Sequence, residues 1–347
     1  MLLPSLLSKY YKMKSANRTL RCALLTVPFT MQDIYSAQKT IKGVASRTPL
    51  LYSPYLSEMI HSRVHLKLEN FQPIRVFKIR GATYKIKNCP EGKKIVAASS
   101  GNHGYAVAYV CKLLGRSAMI FVPETANPDK VSAIKGCGAE LKQVGRTFED
   151  AYEEAVRFCK ATESVMVHAY DDPMVMAGQG TIGLEILEDN PEVDTVVVPI
   201  GGGGLIGGVA FALKNLKKSV RVVGVQSENA PSMLEAFRLG KPVKVELKPT
   251  LADGMFISLA TDTMLQVAKE CVDEIVLVSD SDLEKAMLTM LRSDHVLAEP
   301  CGASSVAAIM NGSIEGIGRE IVAVVSGGNI SIDYLTKLLQ SDLTTVR

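Results

Sequence analysis

The chain has 347 residues, and its 39 basic and 36 acidic side chains leave a formal net charge of +3. This near-neutral balance gives no argument for a nucleic-acid partner, and a hydrophobic fraction of 47% predicts a globular chain. The seven cysteines form no C-x-x-C pair, which predicts reduced thiols in a cytoplasmic setting and no metal site. Beyond residue 30 no apolar run is long enough to cross a bilayer, so no membrane partner is expected.

Residues 1–30 carry five basic side chains and no acidic one, whereas residues 31–347 hold 34 basic and 36 acidic side chains. We therefore expect a basic, disordered leader over residues 1–30, followed by a weakly acidic globular body. A targeting peptide for an organelle is the open alternative, because such peptides also mix basic, serine and leucine residues.

From Met31 onward, strand-like and helix-like segments alternate, which predicts an α/β fold of mostly parallel, twisted sheets flanked by helices. Ser279 is the predicted N-cap of the helix that follows it. In chain order, the predicted elements are helix 32–44, helix 54–60, strand 64–68, helix 79–87, strand 94–98, helix 104–114, strand 118–122, helix 128–137, strand 140–144, helix 148–162, strand 164–168, helix 179–187, strand 195–200, helix 205–213, strand 220–225, helix 232–239, helix 263–270, strand 273–278, helix 280–294, helix 303–310 and strand 320–325.

Residues 94–168 hold several consecutive strand–helix units between two larger blocks of the same kind. This order predicts a small α/β domain at 94–168, inserted into a larger domain formed by 31–93 and 169–347. A cleft between the two domains is the expected place for a ligand.

Four glycines, Gly201 to Gly204, separate the predicted apolar strand 195–200 from the apolar helix 205–213. Bare backbone at the N-terminus of a helix brings several N–H groups and the helix dipole to one point, which predicts a site for an anion, usually phosphate. Two alternatives stay open at this point. The glycines could form a hinge, or, with Gly207 and Glu228, the fingerprint of a dinucleotide site.

Three other features favour chemistry at the same edge of the sheet. Lys78 lies among apolar neighbours, where a lowered pKa would make its amine a nucleophile, although a solvated surface lysine is the commoner case. The loop 99–104 follows a strand and opens a helix, which suits a carboxylate or a simple N-cap turn. Ser326 begins a glycine-containing loop after the last strand, and ligands gather at the carboxyl ends of parallel strands.

Six segments, in order and at family-like spacing, resemble the serine/threonine dehydratase family. They are L-K-L-E-N-F-Q-P (66–73), F-K-I-R-G-A (77–82), S-S-G-N-H-G (99–104), G-Q-G-T-I-G-L-E (178–185), G-G-G-G-L (201–205) and S-G-G-N (326–329). These dehydratases are pyridoxal-phosphate enzymes of fold type II, with the two-domain fold of the tryptophan synthase β-like group, which also includes serine racemase. The resemblance assigns the four glycines to the cofactor phosphate.

The resemblance also implies a role for each matching residue. Lys78 would hold pyridoxal 5'-phosphate as a Schiff base and later remove the α-proton of the substrate. The other implied cofactor ligands are Phe77 near the ring, Asn102 on the phenolic oxygen, Ser326 facing the pyridine nitrogen, and Gly201, Gly202, Gly203, Gly204 and Leu205 around the phosphate. The implied loop for the substrate carboxylate consists of Ser99, Ser100, Gly101, Asn102 and His103. A neutral hydroxyl facing the ring nitrogen favours β-elimination over transamination.

The implied activity is that of an L-threonine/L-serine ammonia-lyase, which gives 2-oxobutanoate or pyruvate plus ammonia. A racemase, or a lyase for another β-hydroxy amino acid, is the first alternative, because Ser100 matches the second acid/base of racemases and is thus a second candidate catalytic residue. A catalytically silent cofactor-binding protein is the other alternative, because Arg75 and Val76 replace the small Gly-Ser pair usual in the family.

The family also implies a homo-oligomer, either a dimer or a tetramer, that acts on a small amino-acid substrate. Gln226 occupies the place of the metal-binding acid of the racemases, which argues against a divalent cation and leaves a monovalent cation open.

Overall fold

A computed structural model of the chain describes residues 27–126 and 128–345. The strands are β1 (Leu50–Tyr52), β2 (Arg63–Leu68), β3 (Ile95–Ala98), β4 (Ala118–Val122), β5 (Glu140–Gln143), β6 (Val165–Met166), β7 (Thr195–Pro199), β8 (Arg221–Ser227), β9 (Glu274–Val278) and β10 (Glu320–Val325). The α-helices are α1 (Met31–Thr40), α2 (Pro54–Ile60), α3 (Lys78–Lys87), α4 (Asn102–Leu113), α5 (Pro128–Gly136), α6 (Phe148–Thr162), α7 (Pro173–Asp189), α8 (Gly204–Leu216), α9 (Ser232–Leu239), α10 (Asp262–Cys271), α11 (Asp280–Thr289), α12 (Pro300–Met310) and α13 (Ile332–Thr345). Among the helices of this described part, none combines the length and the apolar character needed to span a membrane.

The strands form two separate sheets, which confirms the predicted α/β fold with mostly parallel sheets. The larger sheet has six strands in the order β1-β2-β10-β7-β8-β9, and only the β1–β2 pair is antiparallel. The smaller sheet has four parallel strands in the order β5-β4-β3-β6. These four strands come from residues 95–166, which lie inside the predicted small domain. The division of the chain at residues 93 and 169 stays a prediction.

Strand β7 shows why the larger sheet is buried on both faces. Val196 and Val198 pack into an apolar cluster with helices α7 and α8, while Val197 between them packs into a second cluster with α12. Alternate side chains of a strand point to opposite faces, so an unbroken apolar run is needed where both faces are covered. The polar strand-end loops are therefore the part of this sheet that is open to a ligand.

Glycines bring three helices into backbone contact behind the site. A Cβ at Gly178 of α7 would lie 2.5 Å from the Cα of Gly81 in α3. A Cβ at Gly208 of α8 would collide with the carbonyl oxygen of Met176 in α7. Helix α7 therefore packs directly on both α3, which begins with Lys78, and α8, which begins at the last of the four glycines.

A buried ionic cluster holds α3 against α7 and β2. The guanidinium of Arg80 donates to both carboxylate oxygens of Glu69 at 2.8 Å, and to those of Glu185 at 2.6 and 2.8 Å. Lys67 adds a second cation, with its Nζ 2.7 Å from Glu185 and 2.7 Å from the Thr48 carbonyl oxygen. The charges of Lys67 and Arg80 balance those of Glu69 and Glu185, so the cluster buries no net charge. Arginine suits this position because its planar guanidinium can pair with a carboxylate through two hydrogen bonds.

Most predicted elements are present with boundaries shifted by a few residues, and helices 54–60, 148–162 and 232–239 match residue for residue. Ser279 caps α11, as predicted, in a capping box with Asp282. Two elements were not predicted from the sequence: α13, and β1, which has only three residues. The predicted helix 280–294 ends its α-helical part at Thr289 and continues as a π-helical turn over Met290–Asp294.

The predicted leader falls largely outside the described residues, because the structure describes the chain only from residue 27. Its last residues belong to the folded body. Phe29 is 4% exposed and packs on the ring of Phe211 with 4.7 Å between centroids. Thr30 caps α1 in a capping box with Asp33.

Candidate active site

A cavity of about 320 Å³ lies between the two sheets, at the carboxyl ends of β3, β7 and β10. All the residues assigned to cofactor or substrate by the family resemblance line this one cavity. They are Phe77, Lys78, Ser99, Ser100, Gly101, Asn102, His103, Gly201, Gly202, Gly203, Gly204, Leu205 and Ser326. Their individual roles stay predictions, but residues from four separate stretches of sequence meet in one place.

The amine of Lys78 is oriented and partly desolvated. Lys78 is the first residue of α3, and its Nζ donates to the Ala169 carbonyl oxygen at 2.8 Å. The same Nζ lies 5.1 Å from the centroid of the Phe77 ring. Burial lowers the pKa of Lys78 from 10.5 to about 8, against the opposing effects of Cys301 and Glu299. Near neutral pH, a useful fraction of this amine is therefore unprotonated and nucleophilic.

The four glycines form a tight turn in which a side chain would collide with neighbouring atoms or strain the backbone. A Cβ at Gly201 would collide with the Gly254 carbonyl oxygen, and one at Gly202 would collide with the ring of Tyr170. Gly203 has a φ of 99°, in the left-handed region that favours glycine. Helix α8 starts at Gly204, so its free N–H groups and its dipole face this turn. The turn therefore fits the phosphate of a pyridoxal-phosphate cofactor.

The loop after β3 is shaped by its backbone as much as by its side chains. The Ser99 hydroxyl accepts a hydrogen bond from the N–H of Gly101 at 3.1 Å. A Cβ at Gly104 would collide with the Ser99 carbonyl oxygen, so glycine is required for α4 to pack this tightly behind the loop. The loop thus presents hydroxyl groups and helix N–H groups to the cavity, a combination that suits a carboxylate.

His103 is neutral in this environment. Its Nε2 lies 2.8 Å from the Val167 carbonyl oxygen, and burial, with Lys78 adding to it, lowers its pKa to about 3. With Nε2–H donating to that carbonyl, only Nδ1 remains for another partner. A cationic imidazole is therefore not available for the substrate carboxylate.

Glu299 lines the cavity and is hydrogen-bonded to Asn102. Its carboxylate accepts from the Asn102 side-chain amide at 2.7 Å, and only 6% of the residue is exposed. Burial and the nearby Asp253 raise its pKa to about 8. Ser326 is also buried, and its carbonyl oxygen accepts from the N–H of Phe77 at 3.0 Å. This bond connects the end of β10 to the start of α3.

An ion pair joins the two parts of the structure across the cavity. Lys130 comes from α5, beside the smaller sheet, and pairs with Asp253 from a 3-10 turn of the larger part. Both residues line the cavity.

Glu299 also lines the cavity, and the family resemblance matches it to an acid near the cofactor ring. Several other cavity residues had no predicted role. They are Lys130, Phe148, Ala169, Tyr170, Asp253, Met255, Phe256, Ile257 and Cys301. Tyr170 follows the predicted strand 164–168 directly, and this position was its only signal. The remaining ones reach the cavity through the folding of distant segments, which no local pattern shows.

The two unusual residues before Phe77 do not crowd the amine of Lys78. Arg75 is exposed and has a left-handed φ of 61°. Val76 is 1% exposed and belongs to the apolar cluster of the smaller sheet. The backbone turns at Arg75 and directs its side chain to the surface, so neither residue lines the cavity that holds Lys78.

Comparison with known proteins places this fold and site in a family. A family profile described as "Pyridoxal-phosphate dependent enzyme" matches residues 41–327. The chain is 43% identical over 317 residues to an L-threonine ammonia-lyase of Thermotoga maritima, covering 90% of this chain and 79% of that protein. It is 41% identical over 321 residues to a catabolic L-threonine dehydratase of Staphylococcus aureus, covering 90% and 93%.

A solved structure of maize serine racemase superposes with a TM-score of 0.86 at 32% identity, over 91% of this chain and 98% of that one. The profile match alone spans most of the chain, and the racemase structure shares its fold over 91% of its length. The chain belongs to the pyridoxal-phosphate dependent enzymes, and within them to the serine/threonine dehydratase family of fold type II that its motifs resemble.

Proposed function

We propose that this chain is a pyridoxal-phosphate dependent ammonia-lyase that converts L-threonine to 2-oxobutanoate, or L-serine to pyruvate, with release of ammonia. One observation carries the proposal: the oriented amine of Lys78 and the four-glycine turn line the same cavity. The names of the two relatives at 43% and 41% identity support L-threonine as the substrate.

The bound cofactor would withdraw electrons from the α-carbon of the amino acid, so that an α-proton and then a β-hydroxyl can leave. The protein supplies the base, the groups that bind the cofactor, and a buried environment for the reaction. Lys78 exchanges a proton with the α-carbon, since burial holds the pKa of its amine at about 8. The N–H groups of the glycine turn would bind the phosphate, and Ser326 would present an uncharged hydroxyl to the ring nitrogen.

The loop 99–103 would hold the substrate carboxylate through hydroxyl and backbone N–H groups. His103 takes part as a neutral ring, because its Nε2 is engaged with Val167 and its pKa is about 3. Charge recognition of the carboxylate therefore falls to the N-terminus of α4.

A racemase is the second candidate, and Ser100 is the observation that favours it. Ser100 lines the same cavity as Lys78, where a hydroxyl could donate a proton to the α-carbon. The similarity to maize serine racemase agrees with this candidate. A silent cofactor-binding protein has lost its main argument, because Arg75 is exposed and does not approach the reacting centre.

A monovalent cation and a homo-oligomer remain parts of the proposal. Gln226 is fully buried in β8, and its side-chain oxygen accepts from the N–H of Leu234 at 2.9 Å. An uncharged amide at this place offers no negative charge to a divalent ion. We further propose a cytoplasmic dimer or tetramer, which size measurements in solution would test.

The deciding experiment incubates the purified chain with L-threonine, L-serine and D-serine, and measures both keto acid and chirality. Keto acid without inversion is the expected result. Inversion without keto acid would favour the racemase, and neither product would favour the silent binder. Ser100→Ala is the matched variant, because it should abolish inversion while leaving elimination by Lys78 in place. Lys78→Ala should lose the visible absorbance of the bound cofactor as well as both activities.

A further inference from the structure

The side-chain amide of Asn102 belongs to a chain of hydrogen bonds that fixes its orientation. The Asn329 amide nitrogen donates to the Ile74 carbonyl oxygen at 3.1 Å and to the Asn102 side-chain oxygen at 2.8 Å. A backbone carbonyl can only accept, so the amide of Asn329 must present its nitrogen on this side. The Asn102 oxygen is thereby occupied, and its amide nitrogen faces Glu299 at 2.7 Å.

This arrangement leaves one N–H of the Asn102 amide for the cavity. The amide has two N–H donors, of which Glu299 accepts one. Asn102 lines the cavity, so its second N–H can reach a ligand there. A flipped amide would place the Asn102 nitrogen against the donating nitrogen of Asn329, and its oxygen against a cofactor oxygen and the ionised form of Glu299. The chain from Ile74 to Glu299 excludes that orientation.

The side chain of Glu299 bonds to Asn102 and not to the helix that Glu299 begins. It is the N-cap residue of α12, yet its side chain makes no capping hydrogen bond to that helix. The carboxylate instead occupies a space that exists because residue 327 is glycine, since a Cβ at Gly327 would collide with Oε1 of Glu299. The backbone of the same loop holds Glu299 in place, as its N–H donates to the Gly327 carbonyl oxygen at 3.1 Å.

Charged and titratable groups from several elements face the Glu299 carboxylate. Burial and the charge of Asp253 raise its pKa from 4.5 to about 8. Asn102, Lys130 and the backbone N–H of Asn329 act in the opposite direction. Lys78 of α3 and Cys301 of α12 also lie within electrostatic range of this group.

We propose that Glu299 is a positioning residue, which holds the Asn102 amide as a donor toward the cofactor and loosens that hold when it takes up a proton. The inference rests on the proposed function, because the donor has its purpose only if a cofactor oxygen lies beside Asn102. A hydrogen bond to a charged carboxylate is stronger and shorter than one to a neutral acid. The electronic state of the bound cofactor should therefore follow the charge of Glu299.

The first test follows the absorbance spectrum of the cofactor-loaded chain from pH 6 to 10. The wild type should show a spectral change with a midpoint near pH 8, the value expected for Glu299. Glu299→Gln should remove this change, because the amide accepts from Asn102 at every pH. Asn329→Ala should shift the spectrum while keeping the pH-dependent change, since it frees the other end of the Asn102 amide.

Asp253→Asn is the matched control within the same cavity. It removes a carboxylate that does not touch Asn102, so the spectral change should persist with its midpoint at lower pH. An unchanged midpoint in this variant would contradict the inference even if Glu299→Gln fails to fold. A spectral change that survives in Glu299→Gln, or is absent from the wild type, would overturn it.

The second test does not depend on activity. A carboxyl group whose pKa is higher in the folded than in the unfolded chain stabilises the fold fully below the unfolded value, and this contribution is lost as the pH rises through the folded value. Denaturant unfolding of the full chain should therefore show wild type losing stability relative to Glu299→Gln between about pH 4.5 and 8.

The two tests separate the inference from the proposed function. A chain that never takes up pyridoxal phosphate refutes the proposed function, whereas the unfolding curves still decide whether Glu299 titrates. A constant difference between the two proteins across this pH range would overturn the role of Glu299.

Discussion

Arg75 is the clearest case of a side chain in a backbone conformation that suits glycine. Its φ is 61°, and its backbone is held on both sides, by a hydrogen bond from its N–H to the Gln72 carbonyl oxygen and by one from the Gly328 N–H to its own carbonyl oxygen. A non-glycine residue with such a φ is strained. A glycine at this position would carry no such strain.

Arg75→Gly should therefore stabilise the chain by about 1 kcal/mol, because relief of the left-handed strain exceeds the added flexibility of the unfolded state. Denaturant unfolding at fixed pH measures the change. Arg75→Lys keeps the strain and should leave the free energy of unfolding nearly unchanged. A glycine variant that is less stable than the wild type would contradict the strain argument.

The lowered pKa of Lys78 predicts how its amine reacts with pyridoxal phosphate. Only the unprotonated amine attacks the aldehyde, so the binding rate should rise with pH up to about 8 and then level off. Stopped-flow absorbance on cofactor-free protein would measure this rate. The same reaction with a free lysine derivative is the control, and it should still rise toward the ordinary value of 10.5. A protein rate that keeps rising to pH 10 would show that burial does not lower this pKa.

The four-glycine turn is the element on which cofactor binding depends. Gly202→Ala should lower the affinity for pyridoxal phosphate at least tenfold, since the new methyl group collides with the Tyr170 ring where the phosphate cradle must stay open. Fluorescence titration measures the affinity. Gly136→Ala in α5 is the matched control, because a Cβ there meets nothing within 4 Å. Equal affinity of the Gly202 variant and the wild type would exclude the turn as the phosphate site.

Elements with strong periodicity or clear end signals could be predicted from the sequence. The amphipathic pattern predicts helix α6 to the residue, and the structure shows a capping box of Thr147 and Asp150 at its start. Strand β1 could not be predicted, since three residues carry no alternation and only pairing with β2 defines them. The π-helical turn at Met290–Asp294 has no sequence signature, because its i→i+5 bonding depends on tertiary packing.

The ion pair of Lys130 and Asp253 connects the part with the smaller sheet to the part with the larger sheet across the cavity. Lys130→Gln should raise KM for the amino acid several-fold with a smaller effect on kcat, because the smaller part then closes less firmly over the substrate. Steady-state kinetics with saturating cofactor measure both constants. The double variant Lys130→Asp with Asp253→Lys restores the pair in reverse and should recover part of the loss. Failure of the double variant to recover any of it would argue that Lys130 acts on the substrate directly.

The candidate site could be predicted where polar residues follow strands, or where a lysine has apolar neighbours. Asn102 and Ser326 carried the first signal and Lys78 the second, and all three line one cavity. Lys130 and Phe256 carried none, because their place depends on how the two sheets face each other. The raised pKa of Glu299 could not be predicted from the sequence, since it follows from burial in the finished fold.

The glycine contacts behind the cavity have a mechanical consequence. Helix α7 touches α3 and α8 through main-chain atoms, with no compressible side chain at Gly178 or Gly208 to absorb a displacement. Those three helices must therefore move as one rigid body. The distance from the Lys78 amine to the four-glycine turn is then fixed. Any adjustment to substrates of different size has to come from the four-stranded side, which makes that side the place to engineer a new preference.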